Sequence, residues 1–269
     1  MDRFSVEYAT TSAAGDHGLQ LSLVICTPKA IVRPALNILF VHATGYHKEM
    51  WFPIIGRLAN ENVRCIAYDI RYHGDSASLN AGKPVKDDAD WMHHAFDILK
   101  LAGELEPPMP ILAVGHSLGG TALLLAEHAR PNTFARIITL DSVCGPLDPT
   151  VLPFNADILI TAKGARRRRS RWPSRHEAKR SLLKNPIFCA WDEEVLNTYI
   201  QYGFADDLAT NEVVLNLPGT AQENAERCLR GEYIVLEGTG HNIPMERPGE
   251  IAASIRHYIA AIANTRARL

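Results

Sequence analysis

The chain has 269 residues, 46% of them hydrophobic and 22% charged, and 28 Lys and Arg face 30 Asp and Glu for a net charge of −2. That length suits one α/β domain, with or without a small inserted lid, and the near-neutral balance gives no reason to expect nucleic acid as a partner. No run approaches about eighteen apolar residues, so no membrane span is expected, and the opening MDRFSVEYATTSAAGDHG lacks the apolar core of a secretory signal.

In chain order, LQLSLVICTP (19–28) alternates apolar and polar residues and predicts an outer antiparallel strand. LNILFVH (36–42), VRCIAYD (63–69), PILAVGHS (110–117) and RIITLD (136–141) are continuous apolar runs, as strands buried on both faces of a parallel sheet are. Between them, WFPIIGRLANE, DADWMHHAFDILKLAGEL and LGGTALLLAEHARP space their apolar residues by three and four, which predicts helices. After Asp141 the rhythm breaks into prolines and the basic run KGARRRRSRWPSRHEAKR, read as a helical lid over 146–210. The core, 1–145, resumes over 211–269 with a strand in EYIVLEGTGH (232–241) and the helix GEIAASIRHYIAAIA. The fold class is therefore α/β, a doubly wound and mostly parallel sheet with ligands expected at the carboxyl ends of its strands. The five cysteines, Cys26, Cys65, Cys144, Cys189 and Cys228, form no CxxC pair and suggest neither a zinc site nor a disulfide framework. No metal or organic cofactor is implied.

Gly115-His116-Ser117-Leu118-Gly119 runs from a buried strand directly into a helix. A turn that sharp needs glycines two residues either side of the serine, which it holds exposed at the helix N-terminus. A serine hydroxyl needs a base. His241, in the loop EGTGHNIPMERP before the closing helix, is placed to reach back over the strand ends. His42, His47, His73, His93, His94 and His116 are taken as structural or supporting.

These features resemble the α/β-hydrolase superfamily over nearly the whole chain. VHATGYHKEMW, YDIRYHGDSA, GHSLGG and SRWPSRHEA further resemble a fungal branch of peroxisomal acyl-CoA hydrolases and toxin-pathway hydrolases of secondary metabolism. The resemblance implies oxyanion donors from the backbone after the third strand, Ala43 or Thr44, and from Leu118 after the nucleophile. It also bears on the triad acid. Many members carry it after a later strand, but the segment before His241 has no aspartate at a strand end, and a strand there may be shortened. Asp141 closes RIITLD on the catalytic rim, where some members of the resembling branch place the acid. Its alternative role is a cap of the following turn, and Glu223 stands in reserve. Asp69, Asp75 and Asp148 are read as turn or network residues.

Arg166 to Arg169, with Arg171 and Arg175, form a positive stretch that suits either the phosphates of coenzyme A or a solvated lid face. Arg168 and Trp172 are named for substrate contact. Ala267-Arg268-Leu269 has the small–basic–Leu pattern of a tripeptide read by the peroxisomal import receptor, which predicts a peroxisomal location and otherwise a cytoplasmic one. The resulting expectation is a serine esterase or thioesterase acting on a small acyl ester or acyl-CoA, with Ser117, His241 and Asp141 as its triad. Two other readings stay open: a non-hydrolytic cyclase, transferase or isomerase on the same fold, and a silent small-molecule binder. A homodimer is equally open.

Overall fold

The computed structural model describes residues 1–83, 91–142, 169–215 and 236–266. Among them, the main sheet has six strands in the order β1-β2-β4-β3-β5-β6. They are β1 (Phe4–Ala13), β2 (Asp16–Pro28), β3 (Leu36–Val41), β4 (Val63–Tyr68), β5 (Ile111–His116) and β6 (Arg136–Leu140). The last four pair in parallel, β4 with β3, β3 with β5 and β5 with β6. β2 runs antiparallel to β4 and to β1.

Successive side chains of each central strand enter opposite cores, as a period of two requires. From β3, Leu39 and Val41 face one side with Ile98 and Leu99 of α3 (Met92–Glu104) and Ala122 and Leu123 of α4 (Leu118–Ala129). Ile38 and Phe40 face the other, with Ile54 and Ile55 of α1 (Phe52–Gly56) and Ile251 and Ile255 of α9 (Pro248–Arg266). A short helix, α2 (Gly74–Leu79), follows β4. The two-sided burial explains why β3, β4 and β5 read as unbroken apolar runs.

Two expectations change here. The alternating 19–28 stretch is not the outer strand, because β1 pairs along its far side. β1 escapes notice because four consecutive residues, Ser5 to Tyr8, are exposed at the sheet edge, so no alternation marks it. The predicted helix at 51–61 is also short: a 3-10 turn, Lys48–Trp51, passes into α1, which ends at Gly56.

Residues 169–215 form a second layer. β7 (Arg171–Trp172), β9 (Glu212–Leu215) and β8 (Phe204–Asp207) make a small antiparallel sheet beside α5 (Arg175–Leu182), α6 (Pro186–Cys189) and α7 (Glu193–Tyr202). Each helix carries its own cap. Ser174 accepts from the Glu177 amide, Asn185 from Ile187, and Asp192 from Glu194 and Val195. The lid segment is thus not helical alone, and Glu212–Leu215, expected in the core, takes its hydrogen bonds from the small sheet. Its interior, Trp172, Trp191, Leu196, Tyr199 and Phe204, also takes in Met50 and Met245 from the main body. A last short helix, α8 (Ile243–Glu246), precedes α9. Among the described residues no helix is long and apolar enough to cross a membrane, and no group of three or more His, Cys, Asp or Glu is arranged to hold a metal ion. Cys26 and Cys65 face each other across the β2/β4 ladder as buried free thiols; burial pushes Cys26 up to about 12 and Cys65 well above its ordinary value.

Candidate active site

Ser117 stands between β5 and α4 with φ 50° and ψ −120°. An L-residue adopts such a φ at a cost, so it persists only where the surroundings enforce it. Here close packing enforces it. A methyl group on Gly115 would lie 2.6 Å from the backbone of Gly119 and Gly120, and one on Gly119 would lie 2.3 Å from the Val41 carbonyl oxygen. The first turn of α4 is thereby pressed against the end of β3, beside the 42–44 backbone. The Ser117 amide donates to the Leu140 carbonyl at 2.9 Å, which ties the elbow to the end of β6.

Asp141 follows immediately, also at positive φ, 43°. Its Oδ2 lies 2.6 Å from His241 Nδ1, and His241 Nε2 lies 3.1 Å from Ser117 Oγ. The three side chains form one hydrogen-bonded line, with the carboxylate accepting from Nδ1–H and the unprotonated Nε2 placed to accept from the hydroxyl. His241 and Asp141 are 54% and 52% exposed. A pair so exposed gains little net stability from its charge. What the contact supplies is orientation and tautomer.

The loop after β3 is braced from within. Buried His42 accepts the Ile70 amide at Nε2, 3.1 Å, which leaves Nδ1–H to donate to the Ala43 carbonyl at 2.8 Å. The Tyr46 amide donates to that same carbonyl at 3.2 Å. A planar trans peptide sets C=O and the next N–H in opposite directions, so the Thr44 N–H points away from these partners. Deeper still, the Lys48 ammonium meets Asp69 at 2.8 Å, Asp75 at 2.6 Å and Glu49 at 2.9 Å, while Asp69 also accepts the Lys48 amide. Burial disfavours the Lys48 charge, but Asp69 and Glu49 outweigh it and hold the ammonium above its ordinary value. Asp69 is thus the buried centre of this network, and Asp75 joins it from the exposed side, its side chain 55% exposed.

Three further contacts, which nothing in the sequence signals, position the loop that carries His241. His116 Nε2–H donates to the His241 carbonyl at 2.8 Å, the Tyr46 hydroxyl donates to Asn242 Oδ1 at 2.7 Å, and Glu246 accepts the Gly240 amide at 2.9 Å. The first two span 125 and 196 positions, so no local pattern records them.

The residues named for substrate contact fare differently. Trp172 is 2% exposed and packs edge-on against Phe204, 5.4 Å between centroids, so its ring offers almost no surface to a substrate. Arg171 pairs with Asp207 at 2.7 Å and Arg175 with Asp206, both within the lid. Arg169 lies over the Trp172 ring. Arg168, Glu223, Asp148 and the terminal Ala267-Arg268-Leu269 lie outside the described residues, as do Cys144, Cys228 and 232–235 of the predicted last strand.

A mostly parallel sheet of this order, with a serine on a strained strand-to-helix bend at its carboxyl edge, defines an α/β-hydrolase architecture. Residues 38–254 match the model of the alpha/beta hydrolase family, and the chain belongs to that family. Among curated proteins it is similar to the type I acyl-CoA thioesterase mpaH of Penicillium brevicompactum, 27% identical over 214 residues that cover 74% of this chain and 48% of the relative. The chain therefore spans about half the length of that relative. It is also similar to the abhydrolase domain-containing protein AKT2 of Alternaria alternata, 32% identical over 104 residues, 39% of this chain and 37% of that one. Among solved structures, the peroxisomal alpha-beta-hydrolase Lpx1 of Saccharomyces cerevisiae superposes with a TM-score of 0.73 at 19% identity, covering 97% of this chain and 90% of that one. At that identity the likeness speaks for the fold.

Proposed function

We propose that this protein is a serine hydrolase that cleaves an ester or thioester of a small acyl molecule. Ser117 attacks the acyl carbon as His241 Nε2 takes its proton, and Asp141 holds the imidazole and stabilises the imidazolium that forms. The Thr44 and Leu118 amides hold the developing oxyanion; the direction of the Ala43–Thr44 peptide favours Thr44 over Ala43. His241 then protonates the leaving thiol or alcohol, and water, activated by the same imidazole, releases the acid from the acyl-serine. The observation that carries this reading is the line Asp141–His241–Ser117 at 2.6 and 3.1 Å, built from three distant parts of the chain.

Acyl-CoA is the first substrate class to try, on the strength of the thioesterase name of the Penicillium relative. The lid arginines within the described residues give it no added support, because Arg171 and Arg175 already face carboxylates. A fluorophosphonate should label the protein and leave Ser117→Ala unlabelled, and mass spectrometry of the protein incubated with acyl-CoAs and plain esters should show the free acid. Absence of labelling together with intact substrates would overturn the proposal.

The peroxisomal reading of Ala267-Arg268-Leu269 belongs to the same proposal and is supported by the peroxisomal relative in yeast. A fluorescent protein fused ahead of residue 1 should gather in peroxisomes and disperse when Leu269 is deleted; identical distributions would reject the address.

A further inference from the structure

His116 occupies the variable position of the elbow, immediately before the proposed nucleophile, with its side chain fully buried. Its ring reaches the backbone of the histidine loop and lies beside the His241 imidazole. Nε2–H donates to the His241 carbonyl at 2.8 Å, and the two imidazoles lie 5.1 Å apart, tilted by 43°. Among the described residues Nδ1 is buried with no hydrogen-bond partner, and the donation from Nε2–H is the ring's hydrogen bond there.

The segment that carries His241 has little regular structure to hold it, since 236–242 is turn and coil ahead of α8. A base on such a loop must be located by contacts from elsewhere, and the elbow provides the most direct one. The carbonyl that accepts from His116 belongs to the same residue whose ring must meet Ser117 and Asp141. Tyr46, from the loop after β3, adds a second hold one residue further on through Asn242, and its ring lies 6.1 Å from that of His116.

We infer that His116 is a positioning residue for the proposed reaction: its Nε2–H fixes the backbone of His241, so that the strained elbow sets both the nucleophile and its base. The inference rests on the assignment of Ser117 and His241 given above. Burial, the largest cause, and the neighbouring His241 lower His116 to about 4. Across the neutral range it is therefore an uncharged donor. A lysine or arginine making the same bond would set a permanent positive charge beside His241 and weaken it as a base. An imidazole makes the bond without that effect.

Three variants test this: His116→Leu, which fills space without a donor; His116→Gln, whose amide reaches to about the same place; and Tyr46→Phe. The first readout is independent of turnover. The proton between His241 Nδ1 and Asp141 should give a low-field NMR resonance in the unmodified protein. It should be lost or broadened in His116→Leu, weakened in Tyr46→Phe and retained in His116→Gln. The second readout is kinetic. Since misplacement by about 1 Å can cost about a hundredfold, His116→Leu should lower kcat about 10- to 100-fold with KM within about twofold, and His116→Gln should recover most of it. An unchanged resonance and kcat in His116→Leu would overturn the inference. If His116→Leu does not fold, His116→Gln decides: a retained resonance supports the donor role, and a lost one rejects it. Should the fluorophosphonate fail to label the unmodified protein, the assignment of Ser117 falls, while the resonance still reports whether His116 holds His241.

Discussion

Among the described residues, two of the five non-glycine ones at positive φ are Ser117 and Asp141, one at the end of β5 and the other at the end of β6. Both side chains are turned up from adjacent parallel strands, which is why a single imidazole can reach both. The carboxylate's charge should matter more than its shape. Asp141→Asn keeps an acceptor but loses the stabilisation of the imidazolium and permits the wrong tautomer of His241, so kcat should fall about a thousandfold or more. Glu223→Gln should stay within about threefold of the unmodified protein. Measured side by side on one ester, equal activities of Asp141→Asn and the unmodified chain would remove Asp141 from the mechanism. At this scale the sequence singled out Ser117, Asp141 and His241 from residue type and place in the chain, and the fold brings those three side chains into one hydrogen-bonded line. It was silent on Tyr46, Asn242 and Glu246, whose roles arise only when distant loops meet.

Strands buried on both faces announce themselves by composition, and β3, β4 and β5 fall within one or two residues of the runs that predict them; β6 also matches its run, although only Leu140 of it is buried. Elements with one solvated side do so only if they alternate. β1 does not, and the three strands of the lid, two to four residues each, are too short to show any period. Their apolar positions, such as Val213 and Leu215, have meaning only against α7 and Trp172. The glycines of the elbow show the opposite case. Their spacing is visible in the sequence because the backbone contacts they permit leave no room for even one carbon more, so the local pattern and the tertiary packing carry the same information.

At the scale of the whole molecule, three buried histidines among the described residues, His42, His73 and His116, and the half-buried His94 shape the response to acid. Burial is the main cause that lowers His42 well below its ordinary value, lowers His73, and takes His94 to about 3 and His116 to about 4. The unfolded chain binds protons at these residues near pH 6.5, whereas the folded chain does not until much lower pH. Stability is therefore fully present above about pH 6.5 and is lost as the pH falls toward the folded-state values, at up to about 1.4 kcal/mol per pH unit for each histidine. Thermal melts should show a steep fall in Tm between pH 6.5 and pH 4.5, with proton uptake on unfolding; an unchanged Tm over that range would contradict the account. Three of these histidines brace or adjoin the loop after β3 and the elbow, so the site and the fold should fail together in acid.

The amide of Asp192, which begins the lid helix α7, donates to the carbonyl of Met245, four residues past His241, and Met245 itself is buried in the lid's interior. Roof and base are thus fastened to one another. In the proposed hydrolase, lifting the roof to admit a bulky substrate would have to break that fastening or drag the proposed base with it, which couples admission of the substrate to the geometry of the reaction.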